Sequence, residues 1–174
     1  MIKHIVALSS ANGAIGLYNK LPWHIPEDLK HFKELAMGKT IYMGRNTFKS
    51  ILPHVKDGKF LEGREIVVVS STLEKAVNIF VDYHAKYPNV FCTHIEQLKE
   101  DVKWMPDDEF IIVGGSMLYE AFPPDIIEAT LVDIDVQNAD AFYPFLVENY
   151  KMVSRTAKKF IDGKPSYSFC KFVK

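Results

Sequence analysis

Glu27 and Asp28, in the stretch "PWHIPEDLKHFKELA", are neighbouring acids set between a proline and a run of apolar positions. A carboxylate turned toward a ligand can hold two hydrogen-bond donors at once or handle a proton. On a helical wheel at roughly 100° per residue, with Pro26 in the first turn where proline is tolerated, Leu29, Phe32, Leu35 and Ala36 form one apolar arc. Asp28 falls inside that arc, and Glu27 falls on the other side with Lys30 and Glu34. The spacing therefore predicts a solvated Glu27 and an inward Asp28. A simpler use for Asp28 is to complement the helix dipole, worth about 0.3–1 kcal/mol. Against that, a carboxylate on an apolar face is costly without a partner and resists ionising. A ligand is one candidate partner.

Two glycine sites offer anion chemistry. "EFIIVGGSMLYEAF" reads as a buried strand that ends in Gly114 and Gly115 and runs straight into a helix, an arrangement that turns backbone amides toward a phosphate. "KTIYMGRNTF" repeats the plan with Gly44 followed by Arg45, Asn46 and Thr47. Either could be a strand-to-helix turn that needs glycine for backbone reasons alone. Two such ends in one sheet fit a ligand with several phosphates, and the lack of a G-x-G-x-x-G run excludes the usual Rossmann grip. Arg45, with Ser70, Ser71 and Thr72 after "IVVV", has the makings of a ribose-phosphate site, the feature that separates NADPH from NADH.

The elements that must position these groups follow from the hydrophobic pattern. Strand-like runs recur in "KHIVALS", "KTIYMGR", "EIVVVSS", "NVFCTH", "EFIIVGG" and "ATLVDIDV", with helix-like segments between most of them. That alternation predicts an α/β fold with a mostly parallel sheet and helices on both faces. At the tail, "YKMVSRTAKKF" and "SYSFCKFVK" flank "IDGKP", a turn that predicts an antiparallel edge hairpin. Residues 73–88 read as an amphipathic helix stopped by Pro88, and "IEQLKEDVKW" as a shorter one.

A chain of 174 residues suits one domain, spanning 1–174. With 21 basic and 22 acidic residues it carries no charge excess toward nucleic acid or an anionic membrane. No apolar run approaches the roughly 18 residues of a membrane span, and "MIKHIVALSS" is too short to be a signal peptide. The expectation is a cytoplasmic protein. Cys92 and Cys170 lie in alternating apolar stretches and read as buried free thiols, and the histidines lack metal-site spacing, so no metal is expected.

The blocks "IGLYNKLPWHIPEDLKHFK", "MGRNTFKSI", "LEGREIVVVSS", "IIVGGSMLYEAF" and "ADAFYP" resemble, in order and approximate spacing, those of the dihydrofolate reductase family over nearly the whole chain. The resemblance implies an eight-stranded sheet and NADPH-dependent reduction of 7,8-dihydrofolate by a monomer open to antifolate inhibitors. It makes Asp28 the acid of the pterin pocket, with Trp23 ordering a water beside it. Leu29 and Phe32, with Ile51 and Leu61 opposite, would flank the substrate. Ile5 and Val113 would offer backbone carbonyls beside Val6, and Arg64 would hold the glutamate carboxylate. For the cofactor it implies Ala7, Ile15 and Gly16 at the nicotinamide. Gly44, Arg45, Asn46, Thr47, Ser70, Ser71 and Thr72, then Gly114, Gly115, Ser116, Met117, Leu118 and Tyr119, complete its site. The bond between Gly114 and Gly115 is expected to be cis, and residues 12–23 to form a mobile lid.

Some positions depart from the family pattern. Val132 stands where many relatives carry a threonine that braces the acid, which predicts an Asp28 one hydrogen bond short. Met117 replaces a basic residue, Glu62 a proline, and residues 52–60 and 73–88 look like extensions. The alternatives are a riboflavin-pathway reductase of the same fold, against which "PWHIPEDL" argues, and a non-catalytic pterin- or nucleotide-binding protein.

Overall fold

The computed structural model describes residues 1–55 and 59–174. In chain order the strands and helices are β1 (Ile2–Ser9), β2 (Ala14–Gly16), α1 (Pro26–Ala36), β3 (Thr40–Gly44) and α2 (Arg45–Ile51). They continue with β4 (Glu65–Ser70), α3 (Leu73–Tyr83), β5 (Val90–His94), α4 (Ile95–Trp104), β6 (Phe110–Ile112) and α5 (Ser116–Ala121). Last come β7 (Ile126–Val132), β8 (Ala141–Phe142), β9 (Lys151–Arg155) and β10 (Tyr167–Val173). Eight of the strands form one sheet in the order β5-β4-β3-β6-β1-β7-β10-β9, parallel from β5 to β7. β10 then runs antiparallel to both β7 and β9, the expected edge hairpin.

Strand alternation explains the two-sided core. Ile5, Ile41, Met43, Ile66, Val68 and Ile111 point to one face, where they meet Ala36 of α1, Phe48 of α2 and Ile79 of α3. Their neighbours Val6, Leu8, Val69, Phe110 and Ile112 point the other way and meet Leu98 of α4 and Leu118 and Tyr119 of α5. A strand covered by helices on both sides must be apolar at successive positions, which is why these runs read as unbroken hydrophobic stretches.

The expected helix over 73–88 is shorter, since α3 stops at Tyr83. The amides of Lys86 and Tyr87 both bond the carbonyl of Tyr83, and the Tyr87 side chain turns into the core against Phe60. A residue before proline avoids helical geometry, so the helix unwinds before Pro88. The pattern also missed the small ladder of β2 and β8, whose strands are too short to show a period. The stretch 52–60 opens with a 3-10 turn over Leu52–His54. Its residues 56–58 lie outside the described residues. Among the described residues no helix is long and apolar enough to cross a membrane.

Candidate active site

The parallel registers bring the chemistry-bearing residues to one end of the sheet. Gly44 lies opposite Val69, and Tyr42 opposite Ile112, so the turns after β3, β4 and β6 share one edge. The first turn of α1 is held to β7 through Asp28 and Thr130.

Asp28 is buried and Glu27 is exposed, as the wheel predicts. The Thr130 hydroxyl of β7 donates to Asp28 Oδ1 at 2.6 Å. Burial pushes the carboxyl of Asp28 above the usual carboxylate range, while the Thr130 bond and the nearby His31 pull it down. Desolvation wins because it is opposed by one hydrogen bond and no close ion pair. Trp23, five residues earlier in the chain, is buried in a cluster with Ala14, Ile25, Val132 and Tyr167, and its Nε1 has no partner among the described residues. A buried indole N–H is normally satisfied, so this donor suits a water or a ligand.

The remaining wall is apolar. Phe32, Ile51, Leu61 and Val113 are half-buried against the α1-side core, whereas Leu29 is 47% exposed. Ile5 is fixed from below, since the buried Tyr119 hydroxyl donates to its carbonyl at 2.7 Å. His4, packed on the Tyr119 ring, donates from Nε2 to the Phe122 carbonyl and accepts at Nδ1 from the Tyr143 hydroxyl, both at 2.8 Å. Burial lowers its pKa to about 4, so it is a neutral structural group. Val6 turns its side chain into the core on the opposite face.

Arg64 is also buried, donating to the carbonyls of Glu62 at 3.1 Å and Lys33 at 3.3 Å and lying over the Phe32 ring. Its Nε has no partner, and it pairs with no carboxylate among the described residues. A buried guanidinium held by two carbonyls keeps its charge available for an anion.

At the glycine edge, the Gly44 amide donates to the Gly114 carbonyl at 2.8 Å, and the bond between Gly114 and Gly115 is cis, as expected. An added Cβ at Gly114, where φ is +129°, would stand 3.1 Å from Thr47 Oγ1, and one at Gly115 3.3 Å from the same atom. One at Gly44 would stand 3.4 Å from the Gly115 nitrogen. Gly114 is thus the position that a side chain would strain, and the chain approaches closely at all three glycines. Neither α2 nor α5 has a side-chain cap, so their first amides remain open donors.

The sequence model of the family described as dihydrofolate reductase matches residues 1–174. The chain belongs to the dihydrofolate reductase family. It is 34% identical over 176 residues to the type 3 dihydrofolate reductase of Salmonella typhimurium, covering 99% of this chain and 96% of that one. To the dihydrofolate reductase of Bacillus subtilis it is 33% identical over 157 residues, covering 88% and 82%. Among solved structures, an Enterococcus faecalis dihydrofolate reductase complexed with NADP(H) and RAB-propyl superposes with a TM-score of 0.74 at 26% identity, over 99% of this chain and 95% of that one.

Within this reductase fold one expectation is overturned. Val132 does not leave Asp28 a bond short, because the brace comes from Thr130, two residues earlier on β7. Residues two apart on a strand share a face, so Thr130 and Val132 both turn toward the side of β7 that the acid lies on. Val132 itself is fully buried and packs with Trp23. Thr130 was the one missed residue with a legible signal, a lone hydroxyl in "IIEATLV" facing the core.

The residues expected at the cofactor distribute less evenly. Gly44, Arg45, Thr47, Ser70, Gly114, Gly115 and Ser116 gather at the sheet edge, partly or fully buried. Asn46, Ser71, Thr72 and Met117 are exposed there. Thr72 has a structural task, accepting the Lys75 amide at 3.4 Å as the cap of α3. Leu118 and Tyr119 send their side chains into the core, so only their backbone is free. Ala7 and Ile15 are half-buried, and Gly16 would bring an added Cβ to 3.2 Å from Ala141. The segment 12–23 is tied to residues 135–143 by the β2–β8 ladder, by Tyr18 N to Asp140 Oδ2 at 2.8 Å and by Asn12 Nδ2 to Asp135 Oδ1 at 3.0 Å. The open amides, the side-chain-free glycine turns and Arg45 fit a dinucleotide carrying a diphosphate and a further phosphate.

Proposed function

We propose that this chain reduces 7,8-dihydrofolate to 5,6,7,8-tetrahydrofolate with NADPH, a step that supplies one-carbon carriers for thymidylate synthesis. One observation carries the reading: a buried aspartate on the apolar face of α1, braced by the Thr130 hydroxyl of β7. NADPH, when bound, supplies the hydride, so the protein has only to orient the pterin and deliver one proton.

Asp28 accepts two hydrogen bonds from the amidine-like edge of the pterin, one on each oxygen, at lone pairs that Thr130 leaves free, and thereby fixes the ring. Burial raises its pKa above the usual carboxylate range, which favours holding a proton more than an exposed aspartate does. Trp23 Nε1 donates to the water through which that proton travels. Leu29 and Phe32 cover one side of the substrate and Ile51 and Leu61 the other. The exposure of Leu29 supports this, since a flat ring can cover an apolar side chain that the fold leaves bare. Ile5, Val6 and Val113 offer backbone groups, and Arg64 receives the glutamate carboxylate.

On the cofactor side, the amides that open α2 and α5, with Gly44, Asn46, Thr47, Gly114, Gly115, Ser116, Met117 and Leu118, hold the diphosphate. Arg45, Ser70, Ser71 and Thr72 take the ribose phosphate. Ala7, Ile15, Gly16 and Tyr119 border the nicotinamide, and the segment 12–23 closes over it to exclude water. The reading includes a cytoplasmic monomer, blocked by antifolates, with neither nucleic acid nor membrane as partner. It is supported by the balance of 21 basic and 22 acidic residues.

The test is to follow NADPH absorbance after adding dihydrofolate, with NADH in parallel. The expected result is antifolate-sensitive oxidation of NADPH and a much slower reaction with NADH. Binding of both ligands without oxidation would overturn the reading in favour of a non-catalytic protein.

A further inference from the structure

After α3 ends at Tyr83, the chain passes Tyr87, whose buried ring packs against Phe60, and enters β5 at Val90. Between them stands Asn89. Its carbonyl accepts the Ile66 amide of β4 at 2.9 Å, so its backbone is fixed to the sheet. Its side chain then donates twice, from Nδ2 to the Phe60 carbonyl at 2.8 Å and to the Arg64 carbonyl at 2.9 Å. Both hydrogens of the side-chain amide are used.

The two carbonyls mark the ends of one turn. It carries Leu61, half-buried against the α1-side core, and Arg64, which are the two residues assigned above to the substrate wall and to its carboxylate. Leu61 has a φ of +44° and Gly63 one of +80°, both in the left-handed region. A leucine persists there only where its surroundings hold it. From the α1 side the Gly38 amide donates to the Gly63 carbonyl at 2.8 Å, and from the β5 side the Asn89 side chain joins the ends. The guanidinium leans on the same turn, since Arg64 donates to the Glu62 carbonyl at 3.1 Å as well as to that of Lys33 at 3.3 Å. A planar fork meets a carboxylate over a narrow range of directions, so a small shift of the turn is felt at its tip.

We propose that Asn89 is a positioning residue for the tail of the substrate: by tying Phe60 to Arg64 it aims the guanidinium and sets Leu61. The connection that follows α3 thereby takes part in substrate selection. This inference rests on the function proposed above.

The experiment compares the wild type, Asn89→Ala and Asn89→Asp on dihydrofolate and on a dihydropterin lacking the aminobenzoyl-glutamate tail, with NADPH binding measured alongside. Asn89→Ala is expected to raise KM for dihydrofolate by about five- to tenfold with kcat changed by less than about twofold. Asn89→Asp, which sets a carboxylate against two carbonyls, should raise it further. Neither variant should move the kinetics of the dihydropterin or the affinity for NADPH by more than about twofold. In an Arg64→Gln background the KM effect of Asn89→Ala should shrink to less than about twofold, because the group it aims is gone.

A loss shared equally by both substrates and NADPH would make Asn89 a general support of the fold and overturn the proposal, as would an undiminished effect in the Arg64→Gln background. A wild type that reduces dihydrofolate, with its KM unchanged in Asn89→Ala, sinks only the role of Asn89. A wild type that oxidises NADPH with neither substrate sinks the underlying function as well.

Discussion

Two aspartates owe their settings to the same strand, and they end in opposite electrostatic states. Asp28 is held by Thr130 within β7, and Asp133 is the first residue beyond that strand. Asp133 accepts from Lys158 Nζ at 2.8 Å, from the Ser166 hydroxyl at 2.5 Å and from the Ser10 hydroxyl at 2.9 Å. Lys158 and these hydroxyls hold its carboxyl down to about 2. Asp28 has one hydroxyl, a histidine nearby and a deeply apolar setting, and its carboxyl is pushed up instead. The difference separates a staple from a reactive group. An acid with a cation and two donors is already satisfied and fastens the ends of β1 and β7 to the chain before β10. An acid that is buried with one donor keeps lone pairs and a proton for something else.

The largest expected effect is that of Asp28→Asn, which should fold and bind NADPH yet lose turnover at neutral pH by at least about a hundredfold. Its stability should move the other way. A carboxyl whose folded pKa is raised contributes stability that is complete below the ordinary aspartate pKa and lost as pH rises through the raised value. Melting curves should therefore show Asp28→Asn gaining on the wild type as pH rises from acid toward neutral. Thr130→Val should come next, moving the pH dependence of turnover upward, because it removes a bond that favours the carboxylate. Val132→Thr should leave that profile in place, since the brace is already supplied.

Asp133→Asn should leave the turnover profile untouched and reduce stability by about 1 kcal/mol or less, as the group is partly exposed. That loss should be present above the ordinary aspartate range and fade as pH falls toward about 2, where the wild-type carboxyl also loses its charge. His31→Gln carries the smallest effect, an upward move of the turnover profile smaller than that of Thr130→Val and weakened by added salt. A profile moved further by His31→Gln than by Thr130→Val would invert the ranking of hydrogen bond over through-space charge.

The Asp28 side of this contrast was legible in the sequence, whereas nothing there singled out Asp133. The inward turn of Asp28 follows from its position four residues before Phe32, a local period that a sequence displays directly. The parallel strands follow from unbroken apolar runs, and the glycine turns from their place at the strand ends. Thr130 was hidden because its bond to Asp28 spans 102 residues of chain and joins the first turn of α1 to a strand near the other end. A pattern places a residue on a face but does not say how far along the strand its partner lies, so an expectation set two positions off keeps the right face and the wrong residue. The pair β2 and β8 escaped for another reason, since three residues against two display no period. The early end of α3 depended on Tyr87 finding the core, a tertiary preference that overrode a helical pattern continuing toward Pro88.

The most direct test of Asp28 as the proton-handling acid is the pH profile of NADPH-dependent dihydrofolate reduction. It would be measured for the wild type and Asp28→Asn between about pH 5 and about pH 9. The wild-type rate should fall across a single ionisation above the usual carboxylate range. Asp28→Asn should lack that ionisation and recover only toward acid, where solvent protonates the substrate. A wild-type-like rate at neutral pH in Asp28→Asn, or the same ionisation in both proteins, would contradict the account.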